Sequence, residues 1–229
     1  MKKIPKIIHQ IWFGDQDLRP KKLMKQWEEM NPDWEYWLWT EKELSEFFPK
    51  LENQRHYNEF EYLYEHLHHK NQNIKTHHYL AGRSDLVRYE ILYEYGGFFI
   101  DADAKCLRPL DDFLCDNDSF SVFENETVRG ELIANGYLAS TEKNYLMRIL
   151  INRLKQKKTI IDNEPWINTG PLFLTNEVKR LKYNKLKVYP SHYFIPTHYT
   201  GETYTGDDTE HIYADQLWGS TKNNYKDLE

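Results

Sequence analysis

The stretch Ala81–Asp112, AGRSDLVRYEILYEYGGFFIDADAKCLRPLDD, constrains the fold more than any other part of the chain. A helix-period run, a Gly-Gly break and a short apolar strand follow one another with no slack. Ser84–Tyr95 reads as one helix. Leu86, Val87, Tyr89, Ile91, Leu92, Tyr93 and Tyr95 cover most of its circumference, which predicts burial nearly all round. At the helical repeat, Ser84, Asp85 and Arg88 share one arc near its start, and Glu90 and Glu94 fall opposite. Asp85 and Arg88 are spaced to touch. They suit a structural ion pair, with Ser84 or Asp85 as helix cap. They equally suit a carboxylate and a guanidinium that grip a polyol. Gly96-Gly97 ends the helix and turns the chain into the strand Phe98-Phe99-Ile100.

That strand runs into Asp101-Ala102-Asp103. Two carboxylates one residue apart at the end of a buried strand are costly to leave unpaired. A divalent cation is one way to satisfy them. A solvated strand end is the plain alternative for an isolated Asp-x-Asp. The helix and glycine turn on its N-terminal side favour a metal-nucleotide site.

The pattern S-D-x-x-R-Y-x-x-L-x-x-Y-G-G-x-F-x-D-x-D resembles the DXD sugar-binding region of family 32 glycosyltransferases, and is similar to the glucosyltransferase domain of the large clostridial toxins. That family includes bacterial surface-polysaccharide transferases and initiating mannosyltransferases. The resemblance implies a GT-A fold: an α/β nucleotide-binding domain with a central mixed sheet. It implies a retaining transfer from a nucleotide-diphosphate sugar, with attack on the face the leaving phosphate occupies and that phosphate as base. Asp103 would bind a Mn²⁺ or Mg²⁺ ion directly, and Asp101 the ribose and a metal-bound water. Asp85 and Arg88, with Ser84, would position the sugar. Ile11, Phe99 and Ala102 would line the donor pocket.

Further segments carry the resemblance along the chain. Ile4–Phe13, near-continuously apolar, predicts a strand buried on both faces. Its Trp12 stands where toxin relatives stack uracil, so a uridine donor is favoured over guanosine. Trp12 as ordinary core is the alternative. Pro20–Met30 and Lys143–Lys157 read as helices, and Thr40 with Glu43 forms a capping box. Glu131–Ser140 reads as a strand interrupted at Asn135-Gly136, where a ligand could approach the backbone or the strand could bulge. The resemblance puts Asn135 near the donor sugar. Pro171 in Asn168-Thr169-Gly170-Pro171 should open a helix, and Leu186–Pro196 should hold a late strand. The C-terminal segment 207–229 should cover the donor, with Trp218, Ser220 and Lys222 over the diphosphate. Gln216 and Leu217 stand where relatives often carry histidine. Asp215, hard and anionic, is therefore the expected third metal ligand, with His211 in reserve.

Segment 51–80 reads as a polar helical insertion beside the acceptor. It holds His56, His66, His68, His69, His77 and His78, but no completing ligand set, so a solvated helical face is expected there.

With 229 residues the chain can form one domain spanning 1–229. A formal charge of −6 argues against non-specific nucleic-acid binding. The N-terminal apolar run is broken by Pro5, Lys6, His9 and Gln10, so it is not a signal peptide, and no run is long enough to cross a bilayer. The two cysteines, Cys106 and Cys115, suit a reducing compartment. These features predict a cytoplasmic enzyme, with peripheral membrane association left open. Its partners would be a nucleotide sugar and a saccharide or glycolipid acceptor, in bacterial surface-polysaccharide synthesis. Two rivals stand beside this. An aspartyl-phosphate phosphatase also uses Asp-x-Asp, though Lys105 is wrong for one. A non-catalytic carbohydrate-binding protein would keep the aromatics.

Overall fold

The computed structural model describes residues 2–68, 77–204, 206 and 208–228. The chain opens with strand β1 (Ile7–Ile11), helix α1 (Lys21–Met30), strand β2 (Glu35–Trp39) and helix α2 (Glu41–Phe47). The Thr40 hydroxyl and the Glu43 side chain close the capping box of α2. Helices α3 (Gln54–His68) and α4 (His77–Tyr95) follow, then strands β3 (Gly97–Ile100) and β4 (Ala104–Cys106). Strand β5 (Ser119–Val122), helix α5 (Glu126–Arg129) and strand β6 (Tyr137–Ser140) lead to helices α6 (Tyr145–Gln156), α7 (Pro165–Asn168) and α8 (Pro171–Leu181). Strand β7 (Leu186–Tyr189), strand β8 (Ala214–Gln216) and helix α9 (Gly219–Lys222) complete the order.

Six strands form one mixed sheet in the order β2-β1-β3-β6-β5-β7. β1 pairs parallel with β2 and β3, and β5 with β7. β6 runs antiparallel to both β3 and β5. β4 and β8 make a separate antiparallel ribbon. The expected mixed sheet is therefore present, and no helix among the described residues is long and apolar enough to cross a membrane.

α4 explains the hydrophobic run around its circumference. Leu86, Val87, Tyr89, Ile91 and Leu92 are all fully buried, and the helix packs on α3, α6, α7 and the sheet. It already runs from His77, well ahead of Ser84, so neither Ser84 nor Asp85 is a helix cap. The Ser84 hydroxyl instead donates to the Leu80 carbonyl one turn back. Glu90 is buried rather than solvated. It accepts from the backbone N–H groups of Glu52 and Asn53 and from the Asn53 amide, which ties the insertion to α4. Within the insertion, His56 bonds Glu59 and the Leu154 carbonyl, and His66 the Tyr62 carbonyl. His69 lies outside the described residues.

Two elements are shorter than the pattern suggests. The strand expected over Glu131–Ser140 begins only at Tyr137, because Asn135-Gly136 leave the ladder to meet Arg88 and Asp101. After β7, Ser191–Tyr193 is a single 3-10 turn instead of more strand.

His9 carries the junction between β1 and the glycine turn. Its Nε2 lies 2.8 Å from the Gly96 carbonyl, and the Trp39 indole donates to Nδ1 at 3.2 Å. Burial pushes its pKa down to about 4, so it is neutral and donates from Nε2. Gly97 lies directly against this contact at φ +96°. A Cβ there would stand 2.6 Å from the Ile7 carbonyl oxygen and 2.8 Å from His9 Nε2. Gly97→Ala therefore combines a left-handed backbone with a backbone collision. It should lower stability by on the order of 3 kcal/mol in denaturant titration. A loss under about 0.5 kcal/mol, the ordinary surface range, would show that the turn relaxes freely.

Candidate active site

The C-terminal ends of β1 and β3 and the middle of α4 meet at one cleft of about 600 Å³. Ser84, Asp85 and Arg88 line it from α4, Ile11 and Trp12 from β1, and Phe99 from β3. Asp101, Ala102, Asp103, Asn135 and Ser220 also line it. Residues distant in sequence are thus brought together as the sequence reading expected.

Arg88 is the centre of this wall. Its Nη1 donates to the Asn135 carbonyl at 2.6 Å and lies 3.4 Å from Asp85 Oδ1. Its Nη2 donates to Asp101 Oδ1 at 3.2 Å, and the guanidinium sits 4.0 Å over the Phe99 ring. Asp85 is also fully engaged: the Asn135 amide donates to Oδ1 at 2.7 Å and the Thr169 hydroxyl to Oδ2 at 2.8 Å. The pair is both a buried ion pair and part of the cleft surface. Asn135-Gly136 is open to close approach, and what approaches Gly136 is the Asp101 carboxylate, which a Cβ would strike.

Asp103 is 4% exposed and held by the chain's C-terminal segment. Gln216 Nε2 donates to Oδ1 at 2.8 Å, and the Gly219 N–H to Oδ2 at 2.6 Å. Tyr137 donates its hydroxyl to Gln216 Oε1 at 2.5 Å, which fixes the amide with its N–H toward Asp103. Trp218 adopts φ +63°, a strained backbone for a bulky residue, and this turn aims Gly219 at the carboxylate.

Four expected positions differ. Asp215 lines neither this cleft nor its neighbour. Strand alternation puts it on the face of β8 opposite Gln216, and Gln216 is the residue that meets Asp103. Lys222 is exposed on α9 and also lines neither cleft. Trp218 lines the neighbouring cleft, its indole bonded to the Thr197 carbonyl. The reserve ligand His211 bonds Asp208 instead. Thr169 and Tyr225 are site residues that sequence reasoning missed. Thr169 sits in the Asn168-Thr169-Gly170-Pro171 stretch, whose pattern signals only the helix start at Pro171. Tyr225 had no signal, because only folding brings its ring against Trp12, at 5.0 Å and nearly perpendicular.

Among the described residues, no three of the types His, Cys, Asp and Glu converge to hold a metal. Magnesium-like ions do not need such a cage. They take one or two carboxylates and complete their shell with phosphate oxygens and water. Asp101 and Asp103 fit that requirement. Burial, and then the charge of Asp101, push the Asp103 pKa up to about 6, and each carboxylate oxygen keeps a second lone pair.

Asp85 is likewise pushed up to about 6 by burial, against the pull of Arg88, Thr169 and Asn135. The folded state then binds the proton more tightly than the unfolded chain. Asp85 therefore costs stability above about pH 6, and that cost disappears as pH falls toward 4. The difference is on the order of a few kcal/mol. Carbon-detected NMR of the Asp85 carboxyl in metal-free protein should show a midpoint near pH 6. A midpoint below 4 would mean that Arg88 outweighs burial.

Comparison with known proteins agrees with this geometry. Residues 18–120 match the family described as glycosyltransferase sugar-binding region containing DXD motif. Inositol phosphoceramide mannosyltransferase 1 of Schizosaccharomyces pombe is 26% identical over 92% of this chain and 65% of its own length. Inositol phosphoceramide mannosyltransferase 3 of the same organism is 33% identical over 75% of this chain and 44% of its own length. The chain thus spans between about two fifths and two thirds of the length of these curated relatives. Among solved structures, the UDP-bound glycosyltransferase domain of the YGT toxin superposes with a TM-score of 0.53 at 14% identity, over 82% of this chain and 80% of that one. Residues 18–120, which contain Asp85, Arg88, Asp101 and Asp103, are thus similar to the DXD-motif glycosyltransferase sugar-binding region, and the chain has a GT-A fold.

Proposed function

We propose that this chain is a retaining glycosyltransferase that moves a mannosyl group from a nucleotide-diphosphate donor to a glycolipid acceptor, with Mn²⁺ or Mg²⁺ at Asp101 and Asp103. The observation that carries this reading is one cleft in which Asp85, Arg88, Asn135, Asp101 and Asp103 face Trp12. The mannosyl group and the lipid rest on the names of the two yeast relatives. They favour a glycolipid over the surface polysaccharide suggested by the sequence pattern. They also move the donor expectation from uridine toward guanosine diphosphate mannose. The exposed rim beside the cleft, with Trp166 at 37% and Tyr199 at 43%, suits an amphiphilic acceptor.

When bound, the divalent ion neutralises negative charge on the leaving diphosphate. The protein supplies the rest. Asp101 and Asp103 hold the ion. Arg88 and Asp85 present one donor group and one acceptor group to the sugar hydroxyls, and positioning of this kind can supply a large share of a rate. Trp12 offers the base an aromatic surface that it must share with Tyr225.

Asp103→Asn removes a buried charge but keeps the side-chain shape. The variant should still fold, because relief of the buried charge offsets the amide NH₂ group being set against one of the two donors, Gln216 and Gly219. Its turnover should fall by about a hundredfold or more, the loss expected when charge stabilisation goes. Full turnover of the wild type in excess EDTA would refute the metal assignment.

Calorimetric titration of GDP and UDP with Mn²⁺ tests the donor. GDP should bind more tightly, and Trp12→Ala should weaken it by about tenfold, in the range of one aromatic–base stack. Preference for UDP would restore the uridine reading. Indifference to the substitution would make Trp12 core.

A further inference from the structure

A second cleft of about 430 Å³ adjoins the first and shares Asp101, Asn135 and Ser220 with it. One of its walls is built by a short segment after β5. Asn125 caps α5 by accepting from the Thr127 and Val128 N–H groups, and this sets Arg129 facing back toward Glu124. Glu124 Oε1 lies 3.3 Å from Arg129 Nε and 3.4 Å from His198 Nε2. Both of these contacts are made by Oε1, and Glu124 lines the cleft. The Arg129 guanidinium is also held over the Trp166 ring at 5.0 Å. Tyr199 and Trp218 also line the cleft; Tyr199 packs edge-on to Trp218 at 5.4 Å, and His198, which touches Glu124, packs edge-on to Trp218 at 5.3 Å.

We infer that this cleft is the acceptor subsite and that it takes a neutral cyclic polyol, with a ring hydroxyl donating to Glu124 Oε2 and the apolar ring face lying on Tyr199 and Trp218. The inference rests on the glycosyltransferase reading for the word acceptor; the polyol chemistry stands on the cleft itself. A carboxylate beside a guanidinium offers one acceptor and several donors, which matches neighbouring hydroxyls. The aromatic faces match the C–H surface of a ring. Charge decides against an anionic ring. Among the described residues, Glu124, Glu164 and Asp101 line the cleft, and Arg129 is the one Lys or Arg that does. That guanidinium is already paired with Glu124. The cleft meets the donor cleft at Asp101 and Asn135, so a ring held here sits next to the sugar end of the first cleft.

Ligand-observed saturation-transfer NMR tests this, with and without GDP and Mn²⁺. The probes are methyl α-mannopyranoside and myo-inositol, with glucuronate and inositol 1-phosphate as anionic counterparts. The neutral rings should bind more tightly than the anionic ones. Glu124→Gln, which loses a charge-assisted hydrogen bond, and Tyr199→Ala, which loses an aromatic surface, should each weaken neutral-ring binding by about tenfold. Neither change should alter Tm or GDP affinity appreciably. Equal ring binding in both variants would overturn the inference, as would tighter binding of the anionic rings. A parallel fall in GDP affinity would assign the residues to the donor cleft and also overturn it. If GDP fails to bind the wild type while the neutral rings keep this dependence, the donor reading falls and the polyol site stands.

Discussion

The Arg88 guanidinium is the point on which the site depends. It is buried, with one face against Phe99, and it reaches Asp85 on its own helix, Asp101 at the end of β3 and the Asn135 carbonyl before β6. A charge in such surroundings is stable only while those partners stay where they are. Arg88 therefore locks together the helix and the two strand ends that form the cleft floor. Planarity matters here, since three partners in different directions are met by one rigid fork. Asn135 completes the arrangement by donating to Asp85 while its carbonyl receives Arg88.

The second constraint is the cost of the carboxylates. Asp85, Asp101 and Asp103 all lie where burial resists their charge. Each is answered in a different way: Asp85 by Arg88, Thr169 and Asn135, Asp101 by Arg88, and Asp103 by donors from the C-terminal segment. That last set joins the end of the chain to the acidic turn. Tyr137 orients Gln216, Gln216 holds Asp103, and the strained turn at Trp218 delivers the Gly219 N–H. The same turn puts Trp218 on the wall of the second cleft. One short segment thus shapes both halves of the groove, so strain there has a structural use.

Much of this was legible in the residue pattern because it is local. Helical periodicity placed Ser84, Asp85 and Arg88 on one arc, and the apolar remainder required α4 to be buried. Gly96-Gly97 marked the turn, and the structure shows why the second glycine is needed: the Ile7 carbonyl and His9 occupy the space of a side chain. Asp101-Ala102-Asp103 at a buried strand end announced a charged site. The C-terminal assignments were harder. Asp215 and Gln216 are neighbours, and choosing by charge favoured the aspartate. The choice is made by β8 pairing with β4 in the register Ala104↔Gln216 and Lys105↔Asp215, which turns Gln216 inward.

By itself, then, the sequence determined the α/β class, the helix–turn–strand unit and the acidic pair with its arginine. These follow from periodicity, glycine conformation and the cost of burying charge, all of which act within a few residues. Tertiary structure alone decided that Gln216 meets Asp103, that Tyr225 lies against Trp12, that Thr169 bonds Asp85, and that Glu124 and Arg129 line one cleft with Tyr199 and Trp218. Those contacts join residues far apart in the chain. Strand register and the packing of separate loops set them, and no local pattern encodes either one.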